Sequence, residues 1–89
     1  MQVARVVGTV VCSHKDERLS GVTLLLIQPL AKDGAPSGRT LVATDAAGAG
    51  VGETVLIVSG SSARMATGMK DCPVDAVIVG IVDEVSTAG

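Results

Sequence analysis

Few side chains in this sequence have the types and spacing that catalysis or metal binding requires. The chain contains one histidine, His14, and two cysteines, Cys12 and Cys72. A zinc site needs three or four ligands, and Cys12 and His14 supply only two near each other. We therefore predict no metal site. Cys12 is expected to be a small buried hydrophobic residue, and His14 is expected in a solvated turn.

A serine nucleophile would have to lie in the segment Gly60-Ser61-Ser62-Ala63-Arg64. The nucleophile elbow of hydrolases has the pattern G-x-S-x-G, and Arg64 stands at its last position. A catalytic triad also needs a histidine base, for which the sequence offers only His14. A helix cap formed by Ser61 or Ser62 explains the segment better. We predict no catalytic residue.

Three glycines, Gly48, Gly50 and Gly52, alternate with small residues just before an apolar block. A phosphate-binding G-x-G-x-x-G loop would need a third glycine where Glu53 stands, and it would open a helix rather than precede a strand. We predict no nucleotide cofactor. Glycine also serves where the backbone turns with positive φ or approaches another backbone closely. The spacing favours a tight crossing of backbone segments.

The acidic residues do not form local carboxylate pairs. Neighbours on a strand point to opposite faces, so Asp83 and the adjacent Glu84 diverge. Asp75 and Asp83 instead flank the apolar middle of the last predicted strand. Arg64 is the cation best placed to pair with one of them. We expect such an ion pair to be structural and to lie at an interface.

Five apolar blocks separated by turn residues predict five β-strands. Gly8 and Gly80 lie in the middle of the first and last blocks, where a bulge or bend would curve the strand. Ser61 or Ser62 is expected to start a short helical turn between the fourth and fifth strands. These features predict one all-β domain over residues 1–89, a small five-stranded OB-like barrel. The strands are expected at residues 2–13, 22–30, 39–45, 53–59 and 74–86.

The composition indicates more apolar surface than a small core can cover. The chain has 89 residues, 47% of them hydrophobic and none aromatic. The runs at 24–27 and 76–82 are apolar on both faces of their predicted strands, and the run at 24–27 predicts a strand that is buried on both faces. Because exposed apolar patches on soluble monomers are limited, this excess predicts self-association.

Charge and hydropathy exclude several classes of partner. The net charge is -2 and basic residues are scattered, whereas nucleic-acid binding needs a basic surface and, for single strands, aromatic stacking. No apolar run reaches the ~18 residues of a membrane span. We see no secretory signal near the start, so the two cysteines are expected as reduced thiols in the cytoplasm.

Four segments together resemble the pentameric vertex proteins of bacterial microcompartment shells, of the carboxysome and ethanolamine-utilisation (EutN/CcmL) type. They are Val7-Gly8-Thr9-Val10-Val11, residues 21–29 with the leucine run, residues 45–64, and residues 73–83. They cover most of the chain in the same order and at nearly uninterrupted spacing. Cys72 departs from the family pattern, which requires no cysteine in that turn.

The resemblance implies an OB-like barrel that assembles into a ring of five and closes the five-fold corners of a protein shell. Its partners would be itself and hexameric shell proteins, in the bacterial cytoplasm, without nucleic acid, membrane or cofactor. Together with residue size, the resemblance places Gly60, Ser61, Ser62 and Ala63 at the five-fold axis. The subunit interface is expected to include Gly48, Gly50, Gly52, Arg64, Asp75 and Asp83.

Two other classes of function stay open from the sequence. The first is a stand-alone OB-like module that binds a small ligand or nucleic acid, although the lack of aromatic residues disfavours the nucleic acid. The second is a cytosolic enzyme, which no cluster of catalytic residues supports.

Overall fold

Five β-strands close into a barrel in the computed structural model of the protein, which describes residues 1–15, 17–19, 21–59 and 75–87. Within these residues the helical structure is one short 3₁₀ helix, Glu17–Leu19. The predicted all-β class and the number of strands are confirmed. The strands β1 to β5 are Gln2–Thr9, Leu24–Pro29, Leu41–Asp45, Thr54–Ser59 and Ala76–Ile81.

The strands follow the order β1-β2-β3-β5-β4 around the barrel, and β4 pairs with β1 to close it. All neighbouring strands are antiparallel except β3 and β5. Those two pair in parallel over a short stretch, Thr44 with Val77 and Asp45 with Ile78. A five-stranded closed barrel with a crossover of this kind is the OB-like architecture predicted from the sequence.

The barrel interior is filled by aliphatic side chains from all five strands. Successive residues of a strand point to opposite faces, so every second side chain enters the core. In the absence of aromatic residues, Ile27 and Ile78 are the largest fully buried side chains. The main core cluster consists of Ala4, Val6, Leu25, Ile27, Ala43, Val55, Ile57, Ala76 and Ile78.

The two runs that are apolar on both faces of their strands differ in how they are buried in β2 and β5. In β2, Leu25 and Ile27 are buried inside, whereas Leu24 and Leu26 lie on the outer face and are only half-buried. The prediction that this run is buried on both faces is therefore wrong for the isolated chain. In β5 the first three residues, residues 76–78, are all buried. The rest of the run is half-buried or exposed, so this strand too leaves apolar surface that the single chain does not cover.

The mid-strand glycines lie where the strands change register. The pairing of β1 with β2 shifts between Val6 and Gly8, which confirms the predicted bulge. A Cβ added at Gly8 would lie 3.7 Å from the Cβ of Leu26. The pairing of β4 with β5 shifts next to the pair formed by Leu56 and Gly80. At both positions the nearest atoms belong to a leucine of the neighbouring strand, at a distance where an added Cβ would make ordinary van der Waals contact.

The first and last strands are shorter than the sequence pattern predicts. β1 ends at Thr9 rather than at residue 13, and β5 ends at Ile81 rather than at residue 86. Cys12 is exposed, so its assignment as a buried hydrophobic residue is wrong. It lies beyond the end of β1, where the chain has left the barrel wall. His14 is exposed in the following bend, as predicted.

The predicted helical turn between β4 and β5 lies outside the described residues. The assignment of residues 1–89 to a single domain stays a prediction.

Candidate assembly surfaces

The loop between β3 and β4 is organised by the carboxylate of Asp45. Its Oδ1 accepts hydrogen bonds from the backbone N–H groups of Ala47 at 2.9 Å and Gly48 at 3.1 Å. Its Oδ2 accepts a third bond from the N–H of Ala49 at 2.8 Å. Aspartate commonly caps the backbone of the residues that follow it. One side chain therefore fixes the first half of the loop.

Glu53 fixes the second half of the loop. Its Oε1 accepts a hydrogen bond from the N–H of Gly50 at 2.6 Å. The backbone N–H of Gly52 donates to the carbonyl of Val6 at 2.8 Å, and the N–H of Val6 donates to the carbonyl of Glu53 at 2.9 Å. The loop is thereby tied to β1. Because two carboxylates already engage its amide groups, the loop is chemically unsuited to hold a phosphate.

The glycines of this loop provide backbone conformation rather than close approach. Gly48 has φ 78° and Gly52 has φ 92°, a region that other residues rarely adopt. Within the described chain, no atom lies within 4 Å of a Cβ added at either position. Within the described residues, the predicted tight backbone crossing is not seen at these two positions. At Gly50 an added Cβ would meet the Glu53 Oε1 at 3.4 Å.

The same loop presents one apolar side and one exposed tip. Ala47 and Ala49 are partly buried and pack against the main core cluster, so they cover one end of the barrel. Val51 is 61% exposed. A loop held by two carboxylates thus offers an apolar side chain in a defined position. The assignment of Gly48, Gly50 and Gly52 to a subunit interface stays a prediction.

Two rows of paired residues form apolar strips on the outer face of the barrel. One row crosses three strands, with Gly8 paired to Leu26 and Leu26 paired to Val42. Paired residues project on the same side of a sheet, so their side chains are neighbours. Leu26 is half-buried, and Val42 is 45% exposed.

The second row joins Val3, Leu56 and Gly80 on β1, β4 and β5. Val3 and Leu56 are both half-buried. Sequence reasoning found the excess of apolar surface but did not locate these rows, because the pairing partners of each strand were not known.

Asp75 lies beside a pocket of about 210 Å³ near the junction of β3 and β5. The side chain of Asp75 is exposed, whereas Thr44 is 3% exposed. The Oγ1 of Thr44 is buried without a hydrogen-bond partner in the described chain. The pocket is lined by Leu19, Leu24, Val42, Ala43, Thr44, Asp75 and Ala76.

Replacing Thr44 by valine is expected to raise the free energy of unfolding by about 1 kcal/mol, because the change removes a buried hydroxyl that lacks a partner and keeps the shape of the side chain. Urea denaturation of the variant and the parent measures the difference. Thr9→Val, at an exposed position of β1, is the control for strand propensity. A loss of stability in Thr44→Val would mean that the hydroxyl is hydrogen-bonded in solution.

Of the other residues predicted at the interface or the axis, some lie within the described residues and some lie outside them. Asp83 is exposed just after β5, so the two aspartates do flank the apolar middle of that strand. Arg64 lies outside the described residues, and its ion pair with Asp75 or Asp83 stays a prediction. The predicted axis residues Gly60, Ser61, Ser62 and Ala63 also lie outside the described residues.

The described residues contain no group of three or more His, Cys, Asp or Glu side chains placed to hold a metal ion. None of their helices is long and apolar enough to cross a membrane.

The comparisons with known proteins agree in one family. The family profile described as "Ethanolamine utilisation protein EutN/carboxysome" matches residues 1–83. The carboxysome shell vertex protein CcmL of Synechocystis is 50% identical over 88 residues, which span 99% of this chain and 88% of that protein. The microcompartment shell vertex protein EutN of Salmonella typhimurium is 45% identical over 89 residues, 100% of this chain and 90% of that protein.

Solved structures give the same result at the level of the backbone. The structure described as the GrpN pentameric microcompartment shell protein from Rhodospirillum rubrum superimposes with a TM-score of 0.89 and 44% identity. The match covers 99% of this chain and 100% of that one.

The fold defines an OB-like barrel with its apolar rows on the outside. Within that class, the chain belongs to the EutN/carboxysome family of microcompartment shell vertex proteins. The family resemblance noted from the sequence is confirmed.

Proposed function

We propose that this protein is a structural subunit that forms homopentamers and closes the five-fold vertices of a bacterial microcompartment shell. The observation that carries the proposal is the near full-length match to relatives named as shell vertex proteins, one of them described as pentameric. The outer apolar rows and the tip of the loop between β3 and β4 supply a physical reason for assembly, since a lone chain leaves Val42 and Val51 exposed to water.

Contacts between the apolar surfaces of neighbouring subunits can produce a ring. When one patch of a subunit binds a different patch of the next, repetition closes the assembly if the rotation permits. A flat layer of hexagonal tiles cannot form a closed shell without five-fold positions. The protein would fill these positions beside hexameric shell proteins, and its role would be geometric rather than enzymatic.

The remaining parts of the proposal concern location and partners. The shell would lie in the bacterial cytoplasm, where Cys12 and Cys72 are reduced thiols. Nucleic acid and membrane are not among the proposed partners, because the chain is acidic overall and contains no aromatic residue.

Native mass spectrometry at micromolar concentration is expected to show a closed pentamer of the full chain. Apolar burial between subunits, rather than a network of exposed charges, should hold it together. The pentamer is therefore expected to persist when the ionic strength is raised from low to high. A stable monomer or an open, concentration-dependent series of oligomers would contradict the proposal.

A further inference from the structure

A second and larger cavity lies on the outside of the barrel, away from the pocket at Thr44. It has a volume of about 430 Å³ and is bounded by β1, by the loop after β2, and by the tail formed by residues 82–87. We name it the tail pocket. Sites for small organic ligands typically fall in the range of ~300–1,000 Å³. Its lining includes Val3, Arg5, Leu30, Lys32, Thr54 and Val85.

Two walls of the tail pocket are held by backbone hydrogen bonds. Leu30 donates to the carbonyl of Val3 at 2.9 Å, which fixes the start of the loop against β1. Ala31 donates to the carbonyl of Ala35 at 2.8 Å inside that loop. On the opposite side, Val82 donates to the carbonyl of Thr54 at 2.8 Å, which fixes the start of the tail against β4. These bonds hold the loop and the start of the tail on either side of the cavity.

The charges that line this cavity are all positive. Arg5 and Lys32 both line it, and no acidic side chain does. Neither cation makes a side-chain hydrogen bond or ion pair within the described part of the chain. The nearest acid in sequence, Asp33, directs its Oδ1 to the N–H of Ala35 at 3.0 Å in its own turn. Two uncompensated cations in one concave site attract an anion.

The rest of the lining is mainly apolar. Val3 and Leu30 are half-buried on the barrel side, and Val85 on the tail is 57% exposed. An inorganic anion would leave these side chains in contact with water. We propose that the tail pocket binds a small carboxylate with an apolar body of several carbons. Its carboxylate would contact Arg5 and Lys32, and its hydrocarbon part would lie between Leu30 and Val85.

Arginine favours this class of ligand because its planar guanidinium matches the two oxygens of a carboxylate. The proposal assigns the protein a binding property in addition to its structural role. All of the residues that line the tail pocket lie in one chain, so the site needs no residue from a second subunit.

Hexanoate is the probe, with acetate and 1-hexanol as matched ligands that retain only the charge or only the hydrocarbon. Methyl NMR spectra of the full chain, in whatever oligomeric state it adopts, report on Val3, Leu30 and Val85. Hexanoate is expected to shift these methyl signals. It is also expected to bind about tenfold more tightly than either matched ligand, because it alone makes both the charged contact and the apolar contact.

The double variant Arg5→Gln and Lys32→Gln is expected to lose at least about tenfold in hexanoate affinity. Arg39→Gln removes an exposed cation that does not line the pocket and is expected to bind as the parent does. Circular dichroism and native mass spectrometry confirm that all variants keep the fold and assembly state of the parent.

Three outcomes would overturn the proposal. The first is equal affinity for hexanoate and 1-hexanol, and the second is unchanged affinity in the double variant. The third is absence of methyl shifts at about 10 mM hexanoate, where even a weak site would be occupied. This third result would include a tail pocket filled by a neighbouring subunit in an intact pentamer. A monomer that binds hexanoate would contradict the proposed vertex function and leave the binding site in place.

Discussion

Asp45→Ala is expected to lower the free energy of unfolding by about 2–4 kcal/mol, which is large for a residue outside the core. The carboxylate accepts three backbone hydrogen bonds, from Ala47, Gly48 and Ala49. A hydrogen bond to a charged group makes a net contribution of ~1.5–3 kcal/mol to the free energy of unfolding. The bond from the N–H of Gly48 is exposed to solvent, so its contribution should lie below that range. The loss would also release Ala47 and Ala49 from the end of the barrel.

Urea denaturation measures this effect, and Asp33→Ala is the matched control. Asp33 is also an aspartate that caps a following amide in a loop, but it accepts one bond, from the exposed N–H of Ala35. Its replacement should cost about 0.5–1 kcal/mol. Equal losses in the two variants would show that the carboxylate of Asp45 does not hold its loop in solution.

Ser61→Leu or Ser62→Leu is expected to abolish or strongly weaken the pentamer. The placement of these serines at the five-fold axis is a prediction from the family resemblance and from the small size of residues 60–63. At such an axis one added side chain appears five times within the same space. Overpacking a single site commonly costs ~1–3 kcal/mol, so five coincident copies should prevent closure.

The pentamer fraction against dilution measures this effect, and circular dichroism tests whether the subunit still folds. Ser37→Leu is the control, because Ser37 is exposed in the loop between β2 and β3. It should assemble as the parent does. If both axis variants form pentamers as tightly as the parent, the segment does not face the axis.

The barrel could be predicted from the sequence because its strands are separated by clear turn signals. The Asp33-Gly34 turn and the glycine loop bound β3 on both sides, and Gly34, Gly48 and Gly52 all adopt positive φ. Gly8, near the end of β1, correctly indicated a bulge, since the register shifts there.

The ends of the strands could not be predicted as well, because apolar residues continue past them. Val11 is 93% exposed and Val85 is 57% exposed, yet both extend an alternating strand pattern in the sequence. Alternation of apolar and polar residues does not by itself show whether the apolar side chains are buried. The pattern alone therefore lengthened β1 and β5 and placed Cys12 inside.

The hydrogen bonds that hold the loop between β3 and β4 were not predicted, although the residues that make them can be recognised in the sequence. Asp45 is followed by a run of small residues with Gly48 three positions later, a pattern typical of a capped turn. The spacing of the glycines was interpreted instead as a crossing of backbone segments. Glu53 was interpreted as a missing glycine, whereas its carboxylate accepts the hydrogen bond of Gly50.

The parallel pairing of β3 with β5 has a consequence for how the protein folds. β5 stands between β3 and β4 in the barrel, although it follows both in the chain. A sheet of the first four strands, formed before residues 76–81 pair, would be open, with β3 and β4 as its two edges. Open edges pair readily with other chains. The pairing of β5 with β3 and β4 is thus the step that removes both open edges and protects the barrel from association through them.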